Sequence, residues 1–215
     1  MAASRGRVTI RVASADDTVA MADVDSASWP VALAVSADQY RVRVEIYAPG
    51  QLVAVVDNRI VGVSSAQRIT ATQLKKDGGD YDHVTDCGQI RRTHQPEGTV
   101  YQLINVGVLP EARGQHLGRQ LVDAQIAFAR CLVSVRRIVG YTRPAGFYRF
   151  PDLTIDQYLN RSPDESELDT VVAFHLLAGA RIVSVHRNFR SADVEARGYG
   201  VLIEYPRSVA GSHNG

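Results

Sequence analysis

Two cysteines in 215 residues are too few to staple a fold, and neither stands in a Cys-x-x-Cys pair or a Cys/His ligand spacing. A disulfide framework and a structural zinc are therefore excluded, and no metal cofactor is expected. Cys87 lies in a polar stretch, where a bland loop thiol outweighs a nucleophile, and Cys131 lies near a helix end. Long apolar runs are missing as well. Nothing approaches the ~18 consecutive apolar residues of a membrane span, and Met1 to Ile10 has basic residues without the apolar centre of a secretory signal. Charge of one sign is also lacking. With 24 Lys+Arg against 23 Asp+Glu the net charge is +1, so no global field recruits nucleic acid or an anionic membrane. Neither partner is expected, and the expected compartment is the cytoplasm. What is present is material for a core, with 45% hydrophobic and 22% charged residues. No repeat or linker divides the chain, so residues 1–215 are expected to form one domain.

Arg7 to Ala13 alternates polar and apolar residues and reads as a half-buried strand. Ser14, Asp16 and Asp17 start a helix running to about Ser26, and Ser36-Ala37-Asp38 starts a second one. That second helix carries Tyr40, Val44 and Tyr47 on one face and stops at Pro49-Gly50. Gln51–Val56 and Arg59–Ser65 are strands around Asp57-Asn58, two residues that tolerate positive φ in a tight turn. Residues 70–99 turn polar and read as a long surface excursion, of the kind used as a lid or binding loop. Val100–Leu109 is the most apolar strand and contains no carboxylate. After it, Leu117, Leu121, Ala124 and Phe128, with Val122 beside them, mark an amphipathic helix. Val135–Thr142 is a further strand, and Arg143–Arg161 is irregular and aromatic. Ser162-Pro163-Asp164-Glu165 has the form of a capping box, opening a helix to Ala178 with Gly179 as its terminator. Arg181–Phe189 and Gly200–Tyr205 complete a mixed sheet, and the tail 207–215 is expected to be flexible.

The segment Asn105 to Val122 carries the first chemical signal. A buried strand, a break at Pro110 and a Gly-bearing loop lead directly into a helix. Such a junction leaves backbone N–H groups unpaired at the positive end of the helix dipole, which favours a phosphate or pyrophosphate near residues 113–119.

With that element order, Arg113-Gly114-Gln115-His116-Leu117-Gly118 resembles the acyl-CoA loop of the GNAT acyltransferase superfamily, whose pattern is Arg/Gln-x-x-Gly-x-Gly/Ala. Arg113 and Gly118 fit, and His116 replaces the middle glycine. The resemblance implies an α/β fold with a mixed, largely antiparallel seven-stranded sheet and about four helices. It implies that the backbone of Arg113, Gly114, Gln115, His116, Leu117, Gly118 and Arg119 holds the CoA pyrophosphate, with pantetheine running along Val106, Gly107 and Val108. A second match is Phe174-His175-Leu176-Leu177-Ala178-Gly179-Ala180, similar to the family's Phe-Tyr-x-x-x-Gly-Phe/Ala, where the Tyr protonates the leaving thiolate. Here the tyrosine is His175.

A narrower group shares that histidine: the GNAT-like decarboxylase domains that initiate chains on polyketide synthases. The likeness extends to Trp29, to the Tyr47-Ala48-Pro49-Gly50-Gln51 segment, to Thr142, to Arg190 in Asn188-Phe189-Arg190, and to the closing Gly200–Tyr205. It implies that His175 and Thr142 are catalytic and that Trp29 and Arg190 line the acyl pocket. It also implies a CoA thioester substrate (malonyl-CoA, methylmalonyl-CoA or acetyl-CoA) and the phosphopantetheine arm of an acyl carrier protein as a partner. Malonyl decarboxylation needs a poorly hydrated carboxylate site and donors for the enolate oxygen. Backbone N–H groups near Val106–Val108 could serve the enolate, Arg190 could pair with a carboxylate, and a histidine titrating near neutrality could act as donor or acid. The alternatives are an acetyl-CoA-dependent N-acetyltransferase acting on a small-molecule or protein amine, and a non-catalytic acyl-CoA-binding module.

Overall fold

The computed structural model describes residues 7–76, 80–161 and 169–207. Chain order is β1 (Val8–Val12), α1 (Thr18–Ser28), α2 (Ala37–Tyr47), β2 (Gln51–Val56), β3 (Arg59–Ile69), α3 (Ala71–Lys76), α4 (Tyr81–Thr85), β4 (Val100–Val108), α5 (Leu117–Cys131), β5 (Arg137–Thr142), α6 (Ile155–Leu159), α7 (Thr170–Leu177), β6 (Arg181–His186) and β7 (Gly200–Tyr205). The strands form one seven-stranded sheet in the order β1-β2-β3-β4-β5-β7-β6. Only β4 and β5 run parallel, joined by the α5 crossover; every other pair is antiparallel. Among the described residues there are seven α-helices, of which α1, α2, α5 and α7 are the long ones.

Local chemistry explains most element ends. Asp57 and Asn58 both adopt positive φ (47° and 62°), giving the expected tight turn between β2 and β3. Ser36 accepts from the Gln39 amide while the Gln39 side chain reaches back to Ser36, a capping box that starts α2. Gly179, at φ 90°, ends α7: its N–H donates to Leu176 O (2.9 Å) and that of Ala180 to His175 O (3.0 Å). Helix α5 buries Leu117, Leu121, Val122, Ile126 and Ala129 against β2, β3 and β4, at about 1.5–3 kcal/mol for each large apolar side chain. Helices α1 and α2 cover the opposite face through Met21, Val24 and Tyr40, packed on Val53 and Val63. No helix among the described residues is long and apolar enough to cross a membrane.

Several expectations are corrected. Strand β3 runs to Ile69, past Ser65, because β4 supplies partners as far as Val100. Residues 70–99, of which 77–79 lie outside the described residues, are not simply a surface loop. They contain α3 and α4 and bury Leu74, Val84 and Ile90, and the Gln67 side chain anchors them by donating to Val84 O (2.8 Å). Strand β6 stops at His186, so Arg190 lies in the β6–β7 connection rather than on the strand. The capping box at Ser162-Pro163-Asp164-Glu165 lies outside the described residues. The described α7 starts at Thr170, with the Asp169 carboxylate accepting from the amides of Val171 and Val172 (both 3.0 Å). Arg207 is anchored, its guanidinium donating to the backbone carbonyls of Leu132 and Val135; residues 208–215 lie outside the described residues.

Candidate active site

The parallel pairing of β4 and β5 is short. It spans Val100–Leu103 against Arg137–Gly140, and beyond it the two strands have no register partners across the gap. On its other edge β4 carries a bulge: Ser65 of β3 pairs with Asn105 and Ala66 with Leu103, leaving Ile104 without a partner. The result is a cleft in the middle of the sheet, and a cavity of about 430 Å³ fills it. Its walls come from both faces. Val106, Gly118, Phe174 and His175 border it on the α5/α7 side, Trp29 and Tyr81 on the α1/α4 side.

The loop before α5 has an unusual backbone. His116 is the helix N-cap in the left-handed region (φ 58°, ψ 19°), and Gly114 is left-handed as well (φ 80°). A residue with a side chain thus occupies the conformation that the motif's glycine would take without strain. No acceptor among the described residues takes the amides of residues 114–119, so a run of N–H groups stands free at the positive end of a fifteen-residue helix. Of the expected loop residues, Arg113 and Gly118 line the cavity. Gly114, Gln115, His116 and Leu117 are not among the residues lining it, and Leu117 sends its side chain into the core. The Arg119 side chain is engaged elsewhere, with Asp123 (2.8 Å) and with Leu177 O (2.9 Å), which ties α5 to the end of α7. Val106, Gly107 and Val108 all border the cavity. A Cβ on Gly107 would approach Ser28 of α1 at 3.2 Å, so a bare backbone lets α1 lie close over β4.

Thr142 and His175 meet the same cavity from β5 and α7. Thr142 is 3% exposed, and its Oγ1 has no hydrogen-bond partner among the described residues. A buried hydroxyl left so costs about 1–3 kcal/mol, a penalty that a ligand group would remove. The His175 Nδ1 lies 2.6 Å from the Tyr205 hydroxyl. Burial pushes the His175 ring down to about 4 and holds the Tyr205 phenol above its ordinary value, so both are neutral near pH 7. The expectation of a histidine titrating near neutrality is therefore corrected: desolvation without a facing carboxylate suppresses the imidazolium. Which of the phenol and Nδ1 donates depends on the tautomer; in the one where the phenol donates to Nδ1, the ring proton is on Nε2 and His175 is a neutral donor.

Trp29 and Arg190 also border the cavity. Arg190 forms no ion pair among the described residues. It donates to Leu33 O (2.9 Å) and lies over the Tyr81 ring, 3.8 Å from the centroid. Trp29 packs near Arg143, whose guanidinium is 5.8 Å from the indole and is claimed by Asp193 (2.5 Å) and Glu195 (2.7 Å). Asp193 is the carboxylate on the cavity wall, and this bidentate pairing removes it as a free base. Sequence reasoning missed Tyr205, Tyr81, the Arg143–Asp193 pair and Asn105. Only Asn105 left a signal, a polar residue interrupting an apolar strand.

Comparison with known proteins agrees with this geometry. The family described as acetyltransferase (GNAT) family matches residues 19–150. The chain is 26% identical over 180 residues to the uncharacterized N-acetyltransferase YkwB of Bacillus subtilis (strain 168), covering 82% of this chain and 77% of that one. Among solved structures it is similar to the GphF GNAT-like decarboxylase in complex with isobutyryl-CoA, at 28% identity and TM-score 0.80 over 93% of this chain and 100% of that one. It is likewise similar to the loading GNATL domain of CurA from Lyngbya majuscula, at 25% identity and TM-score 0.82 over 94% and 98%. With a sheet that opens between its two parallel strands beside a free helix N-terminus, and a family match over more than half its length, this chain belongs to the acetyltransferase (GNAT) family.

Proposed function

We propose that this protein decarboxylates a malonyl-type CoA thioester, malonyl-CoA or methylmalonyl-CoA, to supply an acyl starter. The observation that carries this reading is the unpartnered Thr142 hydroxyl, buried on the same cavity wall as the neutral His175. The amides of residues 114–119 hold the pyrophosphate, and pantetheine follows the free edge of β4 past Val106–Val108. The acyl group then passes between the strands towards Trp29 and Arg190.

In that pose the substrate carboxylate leaves water for a wall whose polar groups are neutral donors. As the bond to the carboxylate breaks, its electron pair moves into the thioester as an enolate, and one proton is taken up at the α-carbon for each CO2 released. Thr142 and His175 Nε2 are the donors that hold the departing carboxylate, and unpaired backbone groups past the β4 bulge receive the enolate oxygen. A neutral imidazole suits this task, since it donates without binding the carboxylate so strongly that the ground state is favoured. The likeness to the GphF GNAT-like decarboxylase and to the CurA loading domain supports the same reading.

N-acetylation of an amine is the second reading, favoured by the description of YkwB. It needs a base near the thioester, and Asp193 is bound by Arg143. Incubation with malonyl-CoA and methylmalonyl-CoA in the absence of any amine separates the two. The CoA esters are followed by mass, and loss of CO2 above the buffer control is the expected result. No loss, together with acetyl transfer to an added amine, gives the site to the second reading. Tight binding of acyl-CoA with no turnover under either condition leaves a binding module.

A further inference from the structure

Asn105 interrupts the apolar run of residues 103–108 in β4, and both the nitrogen and the oxygen of its side-chain amide are engaged. Its Nδ2 donates to Asp25 Oδ1 (2.8 Å) and lies 2.9 Å from the Tyr40 hydroxyl, while its Oδ1 accepts from Arg43 (3.0 Å). The Tyr40 hydroxyl donates to the same Asp25 oxygen (3.0 Å), and the Val35 amide donates to the other (2.7 Å). The Arg43 Nε donates to Gly88 O (2.6 Å). Asp25 is 1% exposed, Tyr40 and Arg43 0%. Two opposite charges are therefore buried and joined by a neutral amide instead of touching.

Such an arrangement is a poor way to gain stability. Desolvating a carboxylate and a guanidinium costs several kcal/mol each, and apolar replacements of equal volume are often no less stable. Burial pushes the Asp25 carboxyl up from its ordinary value in spite of the hydrogen bonds it accepts. What the network does hold is a weak point of the backbone. Asn105 is the first β4 residue beyond the place where both neighbouring strands let go: pairing with β5 ends at Leu103, and Ile104 has no partner on β3. The Asn105 side chain is the clamp nearest that bulge, and it borders the cavity. Arg43 extends the clamp to Gly88, beyond α4, so the cavity residues Tyr81 and Thr85 are braced from the same buried centre.

We propose that Asn105 is a positioning residue: gripped by Asp25 and Arg43, it holds the β4 bulge so that the backbone of residues 104–106, unpaired on its β5 side, meets the thioester carbonyl in one fixed geometry. The inference rests on the reading of the cavity as an acyl-CoA site. It has a corollary for substrate choice. Because both Asn105 Nδ2 hydrogens are taken up by Asp25 and Tyr40 and its Oδ1 already accepts from Arg43, polar recognition of the acyl group falls to the opposite wall, where Thr142 stands unpartnered.

The test uses Asn105→Asp, which keeps the shape but breaks the donor side of the clamp, and Tyr40→Phe, which removes one hydroxyl from the network. A shift of the bulge by a fraction of an ångström lowers kcat about 10- to 100-fold for Asn105→Asp and about three- to tenfold for Tyr40→Phe, with KM within about twofold. A second readout does not depend on which reaction the enzyme performs. In wild type, calorimetry gives tighter binding of acetyl-CoA than of free CoA if the bulge contacts the thioester. Each folded variant loses that acyl-dependent increment and keeps its affinity for free CoA. If wild type turns over no malonyl thioester, the functional reading fails while the acetyl-CoA increment still judges the clamp. If the folded fraction of either variant retains wild-type kcat and the wild-type increment, the network is merely structural and the proposal is overturned. Should Asn105→Asp not fold, Tyr40→Phe alone decides.

Discussion

A threonine whose hydroxyl finds no partner in a dry wall is usually replaced without harm by valine, which has nearly the same shape and no polar group to satisfy. At Thr142 that substitution separates stability from function. Removing the orphan hydroxyl should leave the urea midpoint unchanged or raise stability by about 1 kcal/mol. CO2 release from malonyl-CoA should fall at least about tenfold, because the substrate loses a donor that nothing else supplies. Equal turnover in Thr142→Val would remove Thr142 from the chemistry. His175 gives a pH test. Its ring and that of His94 are both pushed down from 6.5 to about 4, chiefly by burial. Between those values the unfolded chain binds more protons than the folded one. Both contributions are complete above about 6.5 and are lost as pH falls towards 4, so the urea midpoint should drop between pH 7 and pH 5. Over about pH 6–8 the kcat profile should show no histidine inflection. A limb near 6.5 in that profile would mean that His175 works as an imidazolium, against the neutral-donor role.

At the scale of elements, the proposed function divides the holding of one ligand between the α5 N-terminus and the β4 edge. The amides of residues 114–119 would meet its charge, and the strand edge left unpaired by β5 would meet its extended arm. His116 is the irregular part. A left-handed φ of 58° costs a residue with a Cβ about 1 kcal/mol, which glycine avoids. His116→Gly should therefore stabilise the fold by up to about 1 kcal/mol in urea denaturation, with CoA affinity in calorimetry unchanged, since the loop binds through its backbone. A marked loss of CoA affinity would show that the imidazole itself touches the phosphates.

For the molecule as a whole, the cavity is closed by segments far apart in sequence, and the Arg143–Asp193 pair fastens the last of them. The side chains are 13% and 3% exposed, and the pair joins the end of β5 to the connection that carries Arg190. Arg143→Gln would leave a buried carboxylate without its counter-charge, at a cost of about 3 kcal/mol. Hydrogen exchange should then quicken at residues 188–199 while the β2–β3 pair stays protected; uniform exchange would mean that the pair does not hold the connection in particular.

Much of this architecture was legible in advance, because periodicity and turn chemistry act locally. The Asp57-Asn58 turn, the apolar stripe of α5 and the Gly179 terminator each follow from a few neighbouring side chains. The resemblance pointed to the loop at 113–119 and to Thr142 and His175; of these, Arg113, Gly118, Thr142 and His175 border one cavity. Residues 70–99 misled, because polar composition conceals burial when the polar groups find partners: the Gln67 and Arg43 side chains reach into that stretch from other elements. The low pKa of His175 was equally invisible, being set by which walls exclude water and by the absence of a facing carboxylate. The sequence by itself determined the long strands and helices, their order and the loop-to-helix junction before α5, all properties of contiguous residues. Only the tertiary structure decided that β4 and β5 part after four paired residues, that the gap becomes a cavity through the sheet, and that Asn105 bridges two buried charges beside it. Those features depend on groups far apart in the chain, 80 residues for Asp25 and Asn105, meeting in a medium where an unpaired charge is costly.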